Sequence, residues 1–448
     1  NAMAIAQNYQ KEWDNKGGNA RADILDRMAN KLEENALSLI ASLAFEAGKT
    51  WEDGIAEVRE AVDFLRYYSA GARREFAGTK PLPGPAGEIN EIGQMGRGVF
   101  VCISPWNFPL AIFVGQLAAA LAAGNVVLAK PAEQTPLIAY KAVKLFLEAG
   151  LAPNALQLIL GDGATGAQMV AQPNIAGVAF TGSTEVAQII NRALANKEGA
   201  IARLIAETGG LNAMFVDTSA LKEQVVDDVI TSAFGSAGQR CSALRVLYLP
   251  NETTDEIIDA LCGAMRELKI GPPNSASTDI GPVIDKDAWQ ILENHKEANH
   301  NKIIFQLDFD AQSNDGTFFG PCLIELADID ELQAEVFGPI LHIIRYDPGD
   351  IKTIGAKLAK KNYGLTLGCH SRLDSFVEKV RLAVPAGNYY VNRSMIGAVV
   401  GVQPFGGLGL SGTGPKAGGP HYLAAFATEY VISTNIAAKG GDPNLFNL

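Results

Sequence analysis

Two hydrophobic periods alternate along this chain of 448 residues. Ile24, Leu25, Met28 and Leu32, then Val58, Val62, Phe64 and Leu65, recur at helical spacing among charged residues, which predicts helices across 20–76. A stretch rich in proline and glycine follows at 78–96 (Gly78, Pro81, Pro83, Gly84, Pro85, Gly87) and reads as a loop. From position 99 the pattern changes to short apolar runs separated by helical stretches. The first series is Val99–Ile103, Val126–Ala129, Leu156–Leu160, Gly177–Phe180 and Ala213–Val216. The second is Val246–Leu249, Ile303–Phe305, Ile340–Ile344, Thr366–His370 and Tyr389–Val391. Strands alternating with helices predict parallel sheets covered on both faces, here two α/β domains dividing near Gly209-Gly210.

Residues Gly98 to Ala129 carry no charge, which invites a membrane-spanning reading. Pro105, Asn107 and Pro109 break the first half of this run, and Gly124-Asn125 the second. The expectation is therefore a buried alanine-rich helix near 111–123 and a strand at 125–129, with no membrane span. The 48% hydrophobic and 19% charged content excludes a disordered chain. The formal charge of −12 repels polyphosphate and argues against nucleic-acid binding.

Five widely spaced cysteines (Cys102, Cys241, Cys262, Cys322, Cys369) form no Cys-x-x-Cys pair, so neither a disulfide framework nor a metal site is expected. A reducing, cytoplasmic compartment fits them. Asn1-Ala2-Met3 reads as the remnant of a cleaved expression tag.

Glycine, at 46 residues, is in surplus and clustered, which points to loops that meet a ligand with bare backbone. Gly161-x-Gly163-x-x-Gly166 follows a predicted strand and matches the dinucleotide fingerprint, although an ordinary turn reads the same. Gly48-Lys49-Thr50 fails the phosphate-loop pattern because position 43 is leucine. Phe180-Thr-Gly-Ser-Thr-Glu185 ends an apolar run and opens a helix, offering free N–H groups to a pyrophosphate or simply a helix cap. Cys241 stands among small and polar residues beside Arg240, which could stabilise a thiolate. Glu207 closes an apolar run and needs a partner to have a role.

Seven motifs then occur in order: Pro105-Trp-Asn-Phe-Pro109, Lys130-Pro-Ala-Glu133, Phe180-Thr-Gly-Ser-Thr-Glu185, Glu207-Thr-Gly-Gly210, Gly238-Gln-Arg-Cys241, Glu335-Val-Phe-Gly-Pro339 and Pro404-Phe-Gly-Gly407. This set resembles the aldehyde dehydrogenase superfamily across the whole chain. Glu57–Arg66, Gly397–Phe405 and Gly418-Gly-Pro-His-Tyr422 narrow the resemblance to the 1-pyrroline-5-carboxylate dehydrogenases, in the form carried by the C-terminal region of bifunctional proline utilization A.

The resemblance implies an α/β aldehyde dehydrogenase fold. A Rossmann-like NAD domain (1–77 and 97–208) would join a catalytic domain (209–410), with an oligomerisation flap and C-terminal segment at 78–96 and 411–448. It implies NAD-dependent oxidation of L-glutamate gamma-semialdehyde to L-glutamate through a thioester on Cys241. Glu207 would be the general base, and Asn107 an oxyanion donor together with the Cys241 N–H. For NAD it implies Lys130 and Glu133 at the adenosine ribose, Ser183 at the pyrophosphate, and Glu335 and Phe337 at the nicotinamide ribose. Gly163 would be a loop glycine near the adenine, and Ile103, Ser104, Trp106 and Gly209 would line the rest. The Glu133 carboxylate would repel a 2′-phosphate and so disfavour NADP.

For the substrate, Ser242 and the N–H groups of Gly397 and Ala398 would anchor the α-carboxylate, Phe108 and Phe405 would sandwich the stem, and Glu60 would meet the α-amino group. A solvated helix face is the plain alternative for Glu60. The partners implied are a small aldehyde, a second copy of the chain joined through 78–96 and Thr428–Thr434, and an upstream proline dehydrogenase domain. Relative to the family pattern the chain begins late, as an excised or truncated piece would. An inactive module with an assembly role, or a dehydrogenase for another acidic semialdehyde such as succinate semialdehyde, are the competing readings.

Overall fold

The computed structural model describes residues 1–309 and 316–436. Four helices open the chain: Ala2–Asn15, Gly17–Glu34, Ala36–Ala47 and Trp51–Glu75. The longest shows why they form. Thr50 caps it by accepting a hydrogen bond from the Asp53 N–H; Glu52 and Asp53 occupy its first turn and Arg73 and Arg74 its last, complementing the helix dipole. Its apolar stripe, including Val58, Ala61, Val62 and Leu65, is buried, and the helix packs on Gly17–Glu34. Gly18 permits that contact, because a Cβ there would strike the Ala72 and Phe76 carbonyl oxygens. The first helix was not anticipated from sequence, yet its Trp13 is fully buried and donates to the Leu121 carbonyl at 3.1 Å.

A first sheet has five parallel strands in the order Leu156–Leu158, Val126–Lys130, Val99–Ile103, Ile175–Thr181 and Arg203–Glu207. The strand order reverses between Val99–Ile103 and Ile175–Thr181, the kind of switch point where α/β sheets bind ligands at their carboxyl ends. Gln116 spans it, donating to the Ile103 carbonyl at 3.3 Å and the Thr181 hydroxyl at 2.9 Å. Gln116 belongs to helix Ala111–Ala122, almost wholly buried, which explains the uncharged run as protein core. Among the described residues no helix is long and apolar enough to cross a membrane.

A second sheet of seven strands runs Ile303–Gln306, Cys322–Leu326, Ile340–Tyr346, Val246–Pro250, Ala213–Val216, Thr366–His370 and Asn388–Val391. All its pairs are parallel except the first. Cys322–Leu326 was missed in the sequence because its run is short and interrupted by Glu325. One buried core gathers residues from Ala6 to Ala206 together with Tyr422–Ala427, and another residues from Leu211 to Met395. Residues 207–212 cross between them, and the segment 404–418 returns, with Thr208 donating to the Ser411 carbonyl and Phe405 and Ala417 exchanging backbone bonds.

The stretch 78–96, a loop by composition, is a hairpin, as the family resemblance implied for it. Lys80–Leu82 pairs with Glu88–Gly96, which pairs in turn with Ala427–Asn435, all antiparallel. Proline and glycine are concentrated before Glu88, so 88–96 is free to donate to its neighbours, while Pro81 sits on an edge strand, where a missing N–H is tolerated. Residues 437–448 of the expected C-terminal segment lie outside the described residues.

Asn125 ties these parts together while fully buried. Its Oδ1 accepts from the Arg97 and Gly98 N–H groups at 2.7 and 3.0 Å, and its Nδ2 donates to the Ala120 and Phe426 carbonyls. Asn125→Ala leaves these groups unpaired in the core and is expected to cost about 3 kcal/mol, read as a lowered denaturation midpoint.

Candidate active site

The loop carrying Cys241 is built under strain. Helix Lys222–Phe234 ends at Gly235, and Ser236, Ala237 and Gly238 follow with φ of 54°, 53° and 66°, a left-handed turn. Two of these carry side chains, at a cost of order 1–3 kcal/mol each, and they persist because the surroundings fix them. Arg245, fully buried, spends all five N–H groups on this fixing. It donates to the carbonyls of Gly238 (2.7 Å), Gly338 (3.3 Å) and Arg240 (3.0 Å), and twice to the Glu335 carboxylate (3.1 and 2.9 Å). From the other side the Asn212 amide holds the carbonyls of Cys241 (2.6 Å) and Ala243 (2.9 Å). Asn107 donates to the Gln239 carbonyl at 3.1 Å.

Two cavities meet on Cys241. One, of about 100 Å³, is lined by Glu60, Phe108, Ser242, Gly397, Ala398 and Phe405, so all six residues expected to hold the substrate converge there. Glu207 lies in the same wall, together with Phe64, Gln116, Val400, Gln403 and Tyr422, which sequence reasoning did not single out as site residues. Tyr422 was within reach, because it closes the Gly418–Tyr422 motif. The other cavity, of about 310 Å³, contains Trp106, Asn107, Ser183, Gly209, Glu335 and Phe337, plus Thr181, which lies within the 180–185 motif without having been given a role, and Tyr363, which no motif marked. Ile112, Thr181, Thr208 and Cys241 belong to both.

Ser183 both caps helix Thr184–Ala195, accepting from the Val186 N–H at 3.3 Å, and opens onto the larger cavity, so the two sequence readings of that motif coexist. Gly209 is required where it stands, because a Cβ would collide with the Glu335 carboxylate, which also accepts from the Gly210 N–H. Trp106 meets Phe337 edge-on at 5.6 Å. Ile103, Ser104, Lys130, Glu133 and Gly163 do not line this cavity. Ile103 and Lys130 end adjacent strands of the first sheet, and Lys130 pairs with Glu133 at 3.4 Å. Gly163 is the first residue of helix Gly163–Val170, capped by Asp162, rather than part of a loop.

The electrostatics corrects one expectation. Arg240 does not stand free to stabilise a thiolate: it pairs with Asp53 at 2.6 Å and donates to Ser236. Together with Lys49 it clamps Phe108, the Arg240 guanidinium lying 5.3 Å and the Lys49 ammonium 4.1 Å from the ring centre. Lys49 is itself held by buried Glu57 (3.6 Å), whose other oxygen accepts from the Leu110 and Ala111 N–H groups.

Burial, then the charges of Glu207, Glu335 and Glu60, push the Cys241 thiol up to about 12. Burial likewise raises Glu207 to about 8, with one oxygen buried and unpaired, and raises Glu60, with a further push from Glu57, to about 7. Glu60 is thus a cavity group and not a solvated face. Among the described residues no group of metal-ligating side chains converges.

The sequence pattern of the aldehyde dehydrogenase family matches residues 1–431. The chain belongs to the aldehyde dehydrogenase family. Within it, the chain is 52% identical over 433 residues to the bifunctional protein PutA of Escherichia coli strain K12, covering 94% of this chain and 32% of that protein. A crystal structure of bifunctional proline utilization A superposes with a TM-score of 0.96 at 54% identity, over 98% of this chain and 45% of the other. A 1-pyrroline-5-carboxylate dehydrogenase from Thermus, solved with bound NAD, superposes with a TM-score of 0.91 at 33% identity, over 97% of this chain and 85% of the other. The chain spans about a third of the length of the curated bifunctional relatives it matches.

The role of Arg245 can be tested directly. Lysine has three N–H donors, so Arg245→Lys cannot satisfy the same acceptors. The variant is expected to lose about 3 kcal/mol of stability and to alkylate Cys241 at an altered rate, followed by thermal melting and iodoacetamide labelling.

Proposed function

We propose that this family member is an NAD-dependent dehydrogenase that oxidises L-glutamate gamma-semialdehyde, in equilibrium with 1-pyrroline-5-carboxylate, to L-glutamate in proline catabolism. The observation that carries this reading is the meeting of two differently built cavities on one cysteine, with a carboxylate of raised proton affinity in the wall of the smaller.

The chain's residues suit a dinucleotide. The N-terminus of helix Thr184–Ala195 opens onto the larger cavity and would hold the pyrophosphate with its free N–H groups. Glu335, fixed by Arg245, would take the nicotinamide ribose, and Lys130 with Glu133 the adenosine ribose. In the smaller cavity the N–H groups of Gly397 and Ala398 and the Ser242 hydroxyl would receive the α-carboxylate, and Glu60 the α-ammonium. Phe108, held between two cations, and Phe405 would flank the stem. The two sheets would then serve as cofactor and catalytic domains.

In the reaction, the Cys241 proton passes through a cavity carboxylate to solvent as sulfur adds to the aldehyde carbon, so Glu207 is unprotonated again before hydrolysis. The resulting oxyanion is met by the Asn107 amide and the Cys241 N–H, each such donor being worth a few kcal/mol. NAD, when bound, takes the hydride from that carbon. Glu207 then accepts a proton from the water that attacks the thioester, and thiol and glutamate separate. A base titrating near 8 is only partly ionised at neutral pH, so hydrolysis gains with rising pH.

Further partners follow the same reading. A second copy would dock through the three-stranded sheet, where Ile89, Val431 and Ile432 are exposed. An upstream proline dehydrogenase domain is the proposed covalent partner, supported by the length of the bifunctional relatives outside the match.

Adding 1-pyrroline-5-carboxylate and NAD is expected to yield NADH. Cys241→Ala abolishes it, and Glu207→Gln leaves a single burst of NADH with turnover down about 10²-fold or more. No NADH from the unaltered chain defeats the proposal. Glu133→Gln removes a like charge from the 2′ position and is expected to narrow the NAD over NADP preference about tenfold, read from kcat/KM with each nucleotide.

A further inference from the structure

Lys416 was marked by no motif, yet its position is unusual. Its ammonium sits in the returning segment and uses three N–H groups on three neutral oxygens: the Gly387 carbonyl (2.7 Å), the Asn388 side-chain oxygen (2.7 Å) and the Gly406 carbonyl (2.8 Å). Those bonds hold the head group in place without a paired carboxylate to cancel its charge. Desolvation makes such a placement costly, and burial pushes the proton affinity of Lys416 down. The next residue, Ala417, exchanges backbone bonds with Phe405 on the substrate wall. Gly406, whose carbonyl takes one of those bonds, also touches both residues, since a Cβ there would meet the Lys416 stem at 3.4 Å and Glu207 Oε1 at 3.6 Å.

We propose that Lys416 is a positioning residue for the general base: it fixes the 404–417 segment beneath Glu207 and supplies the positive charge against which that carboxylate ionises. The proposal rests on the function inferred above, because it presumes that Glu207 works as a base.

The groups facing Glu207 leave few other sources for that charge. The Ala417 N–H and then the Lys416 ammonium favour the anion. Cys241 faces it from the nucleophile loop, Tyr68 from helix Trp51–Glu75 and Tyr422 from the segment beyond Gly418. Burial raises all three of these groups, so they stay neutral through the working range. Burial drives Glu207 towards its neutral form, which cannot accept a proton from water; Lys416 opposes that drive. Removing the ammonium therefore raises the carboxylate's proton affinity, and the ionised fraction at neutral pH falls.

The test compares the unaltered chain with Lys416→Met, Lys416→Arg and Asn388→Asp. Glu207 is titrated by infrared difference spectroscopy, its band assigned by subtracting Glu207→Gln, and the pH profile of turnover is recorded alongside the NADH burst. Lys416→Met is expected to move the Glu207 titration and the rising limb of turnover about one pH unit upward. The burst is kept, and turnover at pH 7 falls about tenfold and recovers at higher pH. Asn388→Asp, which partly neutralises the ammonium without removing it, moves both the same way by less, and Lys416→Arg leaves them near the original position. The inference is overturned if the infrared titration stays put in both Lys416→Met and Asn388→Asp, or if turnover falls equally at every pH. Absence of NADH from every variant would instead defeat the proposed function, and the infrared titration would still decide the role of Lys416.

Discussion

The buried guanidinium of Arg245 is the constraint on which the active site depends. Its five donors reach into the strained turn at Gly238, the carbonyl of Arg240 just before Cys241, the Gly338 turn and the Glu335 carboxylate. Those acceptors belong to both sides of the site, since Glu335 lines the larger cavity while Arg240 and Cys241 line the smaller. A buried cation normally costs stability unless its hydrogen bonds are complete. Here they are, so the same group that neutralises Glu335 also holds Ser236 and Ala237 in a conformation that neither would adopt alone. A change on the side of the larger cavity must therefore be felt at Cys241.

The two cavities differ because the elements around them differ. The larger lies over the carboxyl ends of parallel strands, beside a helix N-terminus, and is lined by hydroxyl side chains together with Asn107, Glu185 and Glu335. The smaller is walled by the long helix Trp51–Glu75, the alanine-rich helix Ala111–Ala122 and the returning segment, and its polarity comes from carboxylates set among aromatic rings. Dry surroundings raise Glu60 and Glu207 together, which is the setting in which a carboxyl group can both give and take protons near neutral pH.

The sequence was most legible where a motif lies in a loop at a strand end. Cys241, Glu207, Asn107, Ser183 and Glu335 all converge as their motifs implied, because each loop takes its position from a strand or helix with a clear period. The partition into two α/β sheets followed from the same period, except that Ala213–Val216, counted with the first series, belongs to the second sheet, between Val246–Pro250 and Thr366–His370. What could not be read was pairing over long sequence separation. Arg240 looked available to a thiolate until Asp53, far away in the sequence, proved to hold it. A solvated face was the plain alternative for Glu60, whereas it shares a cavity wall with Gly397 and Ala398, more than three hundred residues away. By composition the stretch 78–96 looked like a loop, and only the family resemblance named it as a hairpin beside a C-terminal strand, because its partner Ala427–Asn435 begins more than three hundred residues later. Lys416 had no motif signal at all, since its acceptors are mostly backbone carbonyls supplied by other segments.

The charges around Cys241 also indicate how it is activated. Glu207, Glu335 and Glu60 all face the sulfur and disfavour a thiolate, and the two nearby arginines are committed to carboxylates of their own, Arg245 to Glu335 and Arg240 to Asp53. A standing thiolate, stabilised by a fixed cation, is not what this arrangement supports. On the proposed reading the resting nucleophile would be a thiol whose proton has more than one acceptor within the same cavity, the carboxylates of Glu60 and Glu207 that burial raises to about 7 and about 8. Under the proposed reaction, once sulfur had given up that proton and bonded to carbon, the penalty from the neighbouring carboxylates would no longer act on a sulfur anion. The negative charge would have moved to an oxygen facing N–H donors. Activation on demand would then be cheaper than permanent ionisation, and it would leave the cysteine unreactive until an aldehyde is in place.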